Sequence, residues 1–320
     1  MSPLADAPPP RMRGVAIAKA VGNRPLRIVL EGEPVVLFRA GSQLSALADR
    51  CPHRGAPLSL GQVRDGRIVC PYHGWQFGAD GVCLAMPSRV GDPAPVTVPR
   101  YAAAEHAGVV FVGGDGAGAP RPMPDGLCLI HRVGSVRTTL ADLAENILDT
   151  THTQTLHAGL LRRESARRLV RPEIAVGEDW IEARYPPQAA PSGLPAFLSG
   201  GGYTITDRFE APGVASVTYS RNDRIVFAAR FHLTPREDGH VGVVAAMGVP
   251  KGPFARLQTF VIGLFMSRIF HQDTALLEAA ARNGPVPSLI VPEDLLRRGI
   301  EAILRGEAPQ RPGTVPDLLV

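Results

Sequence analysis

The chain has four cysteines, two tryptophans and only 6% aromatic residues in 320 positions. So few thiols exclude a disulfide-stapled scaffold, and a chain of this length is expected to fold around its own cores in about two domains. Long apolar runs are also missing. The most apolar stretch, Leu257 to Ser267, is an uncharged run of eleven residues between Arg256 and Arg268, well short of the roughly 20 needed to span a bilayer. It reads as a buried helix, and no membrane partner is expected. The N-terminal MSPLADAPPPRMRG has no apolar signal core, so residues 1–13 read as a disordered tail of a cytoplasmic protein. Neither sign of charge dominates: the formal net charge is +4, and the aromatics do not interleave with the cations as on a nucleic-acid surface. No nucleic-acid partner is expected.

Two short segments carry the chemistry that is present. Cys51-Pro52-His53-Arg54-Gly55 and Cys70-Pro71-Tyr72-His73-Gly74-Trp75 each offer one thiolate and one imidazole. Two sulfur and two nitrogen donors suit either a tetrahedral zinc site or a [2Fe–2S] cluster with mixed ligation. Pro52, Gly55, Pro71 and Gly74 stiffen tight loops and let backbone amides approach closely. The remaining thiols, Cys83 and Cys128, read as small buried hydrophobes.

The pair CPHRG and CPYHGW resembles the Rieske signature, which implies that Cys51 and Cys70 hold one iron and His53 and His73 the other. Respiratory Rieske proteins carry a further cysteine in each loop, joined as a disulfide, where this chain has Ala56 and Tyr72. The resemblance is therefore to the electron-donating Rieske ferredoxins and oxygenases.

Short β-rich runs punctuated by Gly, Pro and Asp (Leu26–Leu30, Pro34–Arg39, Val109–Val112) predict a small all-β domain over 14–118 that includes both loops. The Gly/Pro/Asp stretch Gly113 to Gly126 marks a linker. Beyond it, residues 119–320 read as an α+β domain. A helix runs from Thr139 to about Leu161, and strands lie near Trp180–Tyr185, Tyr203–Phe209, Ala215–Ser220, Ile225–Leu233 and Val241–Gly248. A second helix spans Phe254 to Asn283. Strands flanked by helices, rather than alternating with them, predict an antiparallel sheet covered by helices.

The first of those helices lines up Glu145, Asp149 and His152 at spacings of four and three, on one face. His157 follows His152 by five residues, about 140° further round an ideal helix. Both imidazoles meet one metal only if the helix is distorted or ends, and Gly159 offers a place for it to end.

This segment resembles the Glu-x3-Asp-x2-His-x4-His motif of the Rieske non-haem iron oxygenases. The resemblance implies a terminal oxygenase subunit, nearest the vanillate, dicamba and toluenesulfonate monooxygenase group. It makes His152 and His157 ligands of a mononuclear Fe(II), Asp149 the carboxylate bridging to a cluster histidine, His73, of a neighbouring subunit, and Glu145 a supporting acid. The third ligand is assigned to Asp273, because His271-Gln272-Asp273 resembles the late helix that closes the facial triad in this family. A ferredoxin or flavin reductase would supply electrons, O2 would be consumed, and a head-to-tail homotrimer would bring cluster and iron together. The expected reaction is monooxygenation of a small aromatic substrate, including O- or N-demethylation. The alternatives are cis-dihydroxylation of a ring, or Rieske electron transfer without oxygenase activity.

Substrate contacts are expected from Phe227, Phe231 and Phe265 as apolar walls. His240 follows a Thr234-Pro235 turn as pocket histidines do in that group, and would bond a substrate carboxylate or phenol. Val241-Gly242-Val243-Val244 replaces the aromatics usual after that histidine. Arg162, Arg163, Arg167, Arg168 and Arg171 form either a solvated basic face or a docking patch for an acidic electron donor. These readings predict a red-brown protein with a Rieske EPR signal and a separate, chelatable iron; a colourless zinc protein overturns them.

Overall fold

The computed structural model describes residues 11–114, 117–118, 121, 123–158, 160, 168–188, 202–284 and 289–319. The chain divides into two units between Pro122 and Met123.

The described residues of the N-terminal unit form ten strands. They are β1 (Arg13–Ile17), β2 (Leu26–Leu30), β3 (Glu33–Ala40), β4 (Gln43–Ala48), β5 (Gln62–Arg64), β6 (Arg67–Val69), β7 (Gln76–Phe77), β8 (Cys83–Ala85), β9 (Arg100–His106) and β10 (Val109–Gly113). Six form an antiparallel sheet in the order β1-β10-β9-β4-β3-β2, and four form a second in the order β5-β6-β7-β8. The alternation along β3 explains the layout. Val35 and Leu37 pack into one apolar cluster with Val110 and Val112, while Val36 and Phe38 pack into another with Leu47, Leu58 and Phe77. A strand buried on both faces must sit between two layers. Cys51 and Cys70 belong to the second cluster, so the loops that carry them are rooted in the core. Arg13, placed in the tail by its sequence, begins β1 and pairs with Val112.

The second unit contains β11 (Leu127–Arg137), α1 (Leu140–Leu148), β12 (Leu169–Val170), β13 (Glu173–Val176), β14 (Trp180–Gln188), β15 (Tyr203–Glu210), β16 (Val214–Arg221), β17 (Arg224–Pro235), β18 (His240–Pro250), α2 (Ala255–Arg282), α3 (Arg297–Leu304) and β19 (Leu318–Leu319). Seven strands make one antiparallel sheet, β11-β18-β17-β16-β15-β14-β13, and β12 pairs with β19. Phe227, Ala229, Phe231 and Leu233 alternate along β17 into the cluster they share with α1, α2 and α3. The architecture is the helix-covered antiparallel sheet expected of an α+β domain.

Two helices differ from their sequence reading. Helix α1 starts where Thr139 Oγ1 accepts from Asp142 N at 3.1 Å, but it stops at Leu148, with Asp149 in an extended conformation. The expected extension to Leu161 is absent, because Asp149 turns its own carboxylate onto the following backbone. Helix α2 matches its predicted span, yet the run Leu257 to Ser267 is buried on one side only: Leu257, Phe260 and Leu264 are exposed. No helix of the described residues is long and apolar enough to cross a membrane.

Helix α3 is tied to α1 by charge. Arg297 Nη1 donates to Asp142 at 2.6 Å and to Glu145 at 2.8 Å, and its Nε donates to Glu301 at 2.7 Å. Burial disfavours the Arg297 charge, but the three carboxylates outweigh it and raise its pKa. Removing one partner from a buried ion network leaves the others uncompensated. Arg297→Met should therefore lower unfolding stability by about 3 kcal/mol in urea titrations; a loss below about 1 kcal/mol, the scale of an exposed pair, refutes the role.

Candidate metal centres

The two Cys/His loops repeat one backbone solution. Cys51 N donates to Ala56 O and Gly55 N to Cys51 O, both at 2.8 Å; Cys70 N donates to Trp75 O at 2.8 Å and Gly74 N to Cys70 O at 3.1 Å. Each turn closes through a glycine at positive φ, +70° at Gly55 and +69° at Gly74, where a side chain would be strained. Asp49, buried two residues before Cys51, braces the first loop: it accepts from Ser59 N and Oγ and from Arg27 Nη1.

Both thiols are buried, while His53 and His73 are exposed with ring centroids 4.5 Å apart. His53 stacks on Trp75 and Tyr72 on His73. Burial pushes the Cys51 thiol up to about 11, with Cys70 adding to the effect, so metal binding here must displace protons. Among the described residues, the only set of three or more His, Cys, Asp or Glu donors lying within 4.8 Å of one another is found elsewhere. The four loop donors thus form a sulfur pair inside and a nitrogen pair outside, which fits a two-iron cluster and not one tetrahedral zinc.

That other set is His152, His157 and Asp273. The end of α1 creates it. Asp149 Oδ1 accepts from Thr151 N and Oγ1, both at 2.7 Å, and Oδ2 lies 3.2 Å from both His152 N and His152 Nδ1. A side chain that captures the next amides offers the backbone an alternative to the helix. The chain then makes a short 3₁₀ turn over His152–Gln154. These bonds hold the Asp149 pKa below the ordinary carboxylate range, although burial pulls the other way.

Second partners fix the imidazole tautomers. His157 Nδ1 lies 2.8 Å from Gln272 Oε1, and His152 Nδ1 faces Asp149. A proton held on each Nδ1 leaves each Nε2 lone pair free. Those atoms turn toward one carboxylate oxygen: His157 Nε2 lies 3.0 Å and His152 Nε2 3.7 Å from Asp273 Oδ1. His157 Nε2 is buried without a well-directed hydrogen bond. Burial alone would lower the His157 pKa, but Asp273 and Gln272 raise it. Two lone pairs and a carboxylate around one point fit a divalent cation with open positions, the pattern of non-haem iron(II).

Asn146 and Gln272 were not singled out by sequence, although Asn146 Nδ2 lies 3.5 Å from Asp273 Oδ1. Neutral amides carry no ligand signal; only their adjacency to Glu145 and Asp273 hints at them. Glu145 is engaged by Arg297 rather than by a histidine, and burial raises its pKa despite that partner.

A cavity of about 120 Å³ adjoins the triad. Phe227, Phe231 and Phe265 line it, with Ile262, Met266 and Phe270. His240 does not. It begins β18 opposite Arg137, half-exposed, with Nδ1 3.2 Å from Asp238 Oδ1. The expected substrate contact of His240 is thus not brought to this cavity: the four-residue turn between β17 and β18 sets the imidazole at the start of β18. Of the arginine cluster, Arg162, Arg163 and Arg167 lie outside the described residues; Arg168 is exposed and Arg171 pairs with Asp317 at 3.0 Å.

Comparison with known proteins agrees with this geometry. Residues 15–102 match the Rieske [2Fe-2S] domain, and residues 136–310 match the vanillate O-demethylase oxygenase C-terminal domain. The vanillate O-demethylase oxygenase subunit of Pseudomonas sp. (strain HR199 / DSM 7063) is 29% identical, with the match covering 88% of this chain and 87% of that protein. Chloroplastic chlorophyllide a oxygenase of Chlamydomonas reinhardtii is 41% identical over 42% of this chain, but the match spans only 22% of its length. The crystal structure of dicamba monooxygenase bound to dicamba superposes with a TM-score of 0.75 at 20% identity, covering 92% of this chain and 96% of that one, and so shares the fold. With a [2Fe–2S] domain, a vanillate-demethylase-type C-terminal domain and a two-histidine, one-carboxylate centre, the chain belongs to the Rieske non-haem iron oxygenases.

Proposed function

We propose that this chain is the terminal oxygenase of a multicomponent system, taking electrons from a ferredoxin or flavin reductase to monooxygenate a small one-ring substrate, with O- or N-demethylation among its reactions. The observation that carries the reading is the convergence of His152 Nε2, His157 Nε2 and Asp273 Oδ1 beside an apolar cavity. An apolar cavity of roughly 150 Å³ accepts one benzene-sized molecule, so about 120 Å³ suits a single ring. On this reading residues 14–118 hold the cluster through Cys51, His53, Cys70 and His73, and residues 119–320 hold iron through His152, His157 and Asp273.

When bound, the cluster supplies single electrons and the mononuclear iron activates dioxygen. The chain's residues prepare both. Gln272 and Asp149 keep the Nδ1 protons in place, so that both imidazoles present Nε2. Phe231, Phe265 and Phe270 exclude water and give a ring its face and edge contacts. Glu145 acts through Arg297 as a positioning residue for the end of α1.

We infer further that electrons cross between subunits of a homotrimer, from an exposed cluster imidazole, His73, to Asp149 of the next copy. Support comes from the exposure of both imidazoles and from the Asp149 side chain, which remains 29% exposed after its internal bonds are made. Four cysteines outside any disulfide suit a cytoplasmic setting.

Asp149→Asn keeps the shape but places an amide where Thr151 and His152 donate. Chemical reduction of the cluster should be unchanged while oxygen-dependent product formation falls about 100-fold, at the upper end for partners of metal ligands; unimpaired turnover refutes the assignment. Light scattering of the coupled enzyme should give a trimer or a multiple of one, and a fully active monomer removes the inter-subunit route.

A further inference from the structure

Helix α2 has two apolar sides, and the oxygenase reading uses only one. Ile262, Phe265, Met266, Ile269 and Phe270 line the cavity beside the triad. At 100° per residue, Leu257, Phe260 and Leu264 fall together on the other side of the helix. They are 61%, 61% and 57% exposed, and Phe254, just before the helix, is 69% exposed. A single exposed apolar residue is ordinary on a protein surface, but four large ones so close along one helix make a patch.

Charge around this patch has one sign. Residues 251–272 carry Lys251, Arg256 and Arg268 and no Asp or Glu. Strand β11, at the edge of the sheet, packs against α2 and carries Arg132 and Arg137, again without an acid. Arg132 reaches the helix where Gly263 makes room, since a Cβ there would stand 2.7 Å from its Nη2. None of Lys251, Arg256, Arg268 and Arg132 forms an ion pair among the described residues. The first acids beyond these segments are Asp273, which faces the ligand histidines, and Asp125, beside the Gly126 whose carbonyl accepts from Lys251 N. A second copy of the chain fits such a surface poorly: in a two-fold contact each patch meets its own image, so cations would face cations. An anionic bilayer answers both features. Lipid takes up an apolar ridge without needing a matching groove, and its headgroups neutralise the cations at the rim.

We propose that the outer face of α2, with Arg132 beside it, is a peripheral membrane-binding surface for anionic phospholipid bilayers. The helix lies along the bilayer and does not cross it. Leu257, Phe260 and Leu264 enter the headgroup boundary, while Lys251, Arg256 and Arg268 keep their apolar stems against lipid and extend their charged ends to phosphates. The cavity lies across the same helix, a helix diameter of roughly 10 Å away. On the oxygenase reading this holds the site close to the phase in which apolar one-ring compounds concentrate, but the binding itself rests on no step of that reading.

Co-sedimentation of the purified holoenzyme with vesicles of equal parts phosphatidylcholine and phosphatidylglycerol tests the proposal. Binding should be at least about tenfold stronger than to pure phosphatidylcholine, and should fall as salt screens the rim charges. The double substitution Leu257→Ser with Phe260→Ser should abolish it, and Arg268→Glu should weaken it about tenfold, with melting temperature and the Rieske EPR signal unchanged in both. In Phe260→Trp, indole emission should shift to the blue when anionic vesicles are added, a readout that depends on no loss of binding. Absence of binding to anionic vesicles at low salt overturns the proposal, and so does binding that survives the double substitution. If light scattering shows the double substitution dissociating the protein into smaller species, the face belongs to a second copy and the membrane reading falls. Vesicle binding by a protein that gives no oxygen-dependent product with a surrogate reductase leaves the surface assigned and removes the oxygenase reading alone.

Discussion

Helix α1 ends one residue before Asp149 because that carboxylate accepts hydrogen bonds from the residues just after it. Much of the second unit's site follows from this local competition. Had the helix continued, His152 and His157 would diverge by about 140° around its axis, and no single point could receive both. Because it stops, the chain turns tightly through His152–Gln154, and the two rings come to lie 5.2 Å apart, edge to face, with both Nε2 atoms toward Asp273. The same carboxylate that breaks the helix also faces His152 Nδ1 and so favours the tautomer that leaves Nε2 turned to Asp273.

Around this break the fold supplies rigidity at a distance. Helix α2 carries Gln272 and Asp273 side by side, one touching Nδ1 of His157 and the other approaching its Nε2. Helix α3 sends Arg297 into the acids of α1, holding Glu145 away from the histidines. Without that guanidinium, Asp142, Glu145 and Glu301 would lose the cation that joins them. In the N-terminal unit the equivalent device is repetition: two loops with the same pair of backbone bonds and the same left-handed glycine present two buried thiols and two exposed rings. Charge transfer at such a tip favours exposure of the imidazoles, and core packing favours burial of the sulfurs.

The cavity combines two demands that oppose each other. Phenylalanines and aliphatic residues exclude water, which strengthens every electrostatic interaction inside. The same dryness makes each polar atom on the wall count for more than it would on an open surface. The exposed side of α2, with Leu257, Phe260 and Leu264, shows the converse: apolar residues whose sequence reads as core but whose partners the described residues do not supply.

Much of this was legible in the sequence, because its signals are local. The Cys-x-His and Cys-x-x-His spacings, the glycines that close their loops, the strand alternation and the span of α2 all depend on neighbours within a few residues. The candidate metal donors belong to the same class, since imidazoles, thiolates and carboxylates are chemically conspicuous. What only the tertiary structure decided depends on residues far apart in sequence. Gln272 meets His157 across 115 positions and Arg297 meets Asp142 across 155. His240 falls at the rim because strand register, not the order of residues, decides which side chains reach the cavity. Asp207 was not singled out by sequence, because only the sheet's packing puts it on the buried face of β15. The sequence determined which atoms could bind metal; the folded backbone determined which of them share a point, and what surrounds it, because direction and burial are properties of packing.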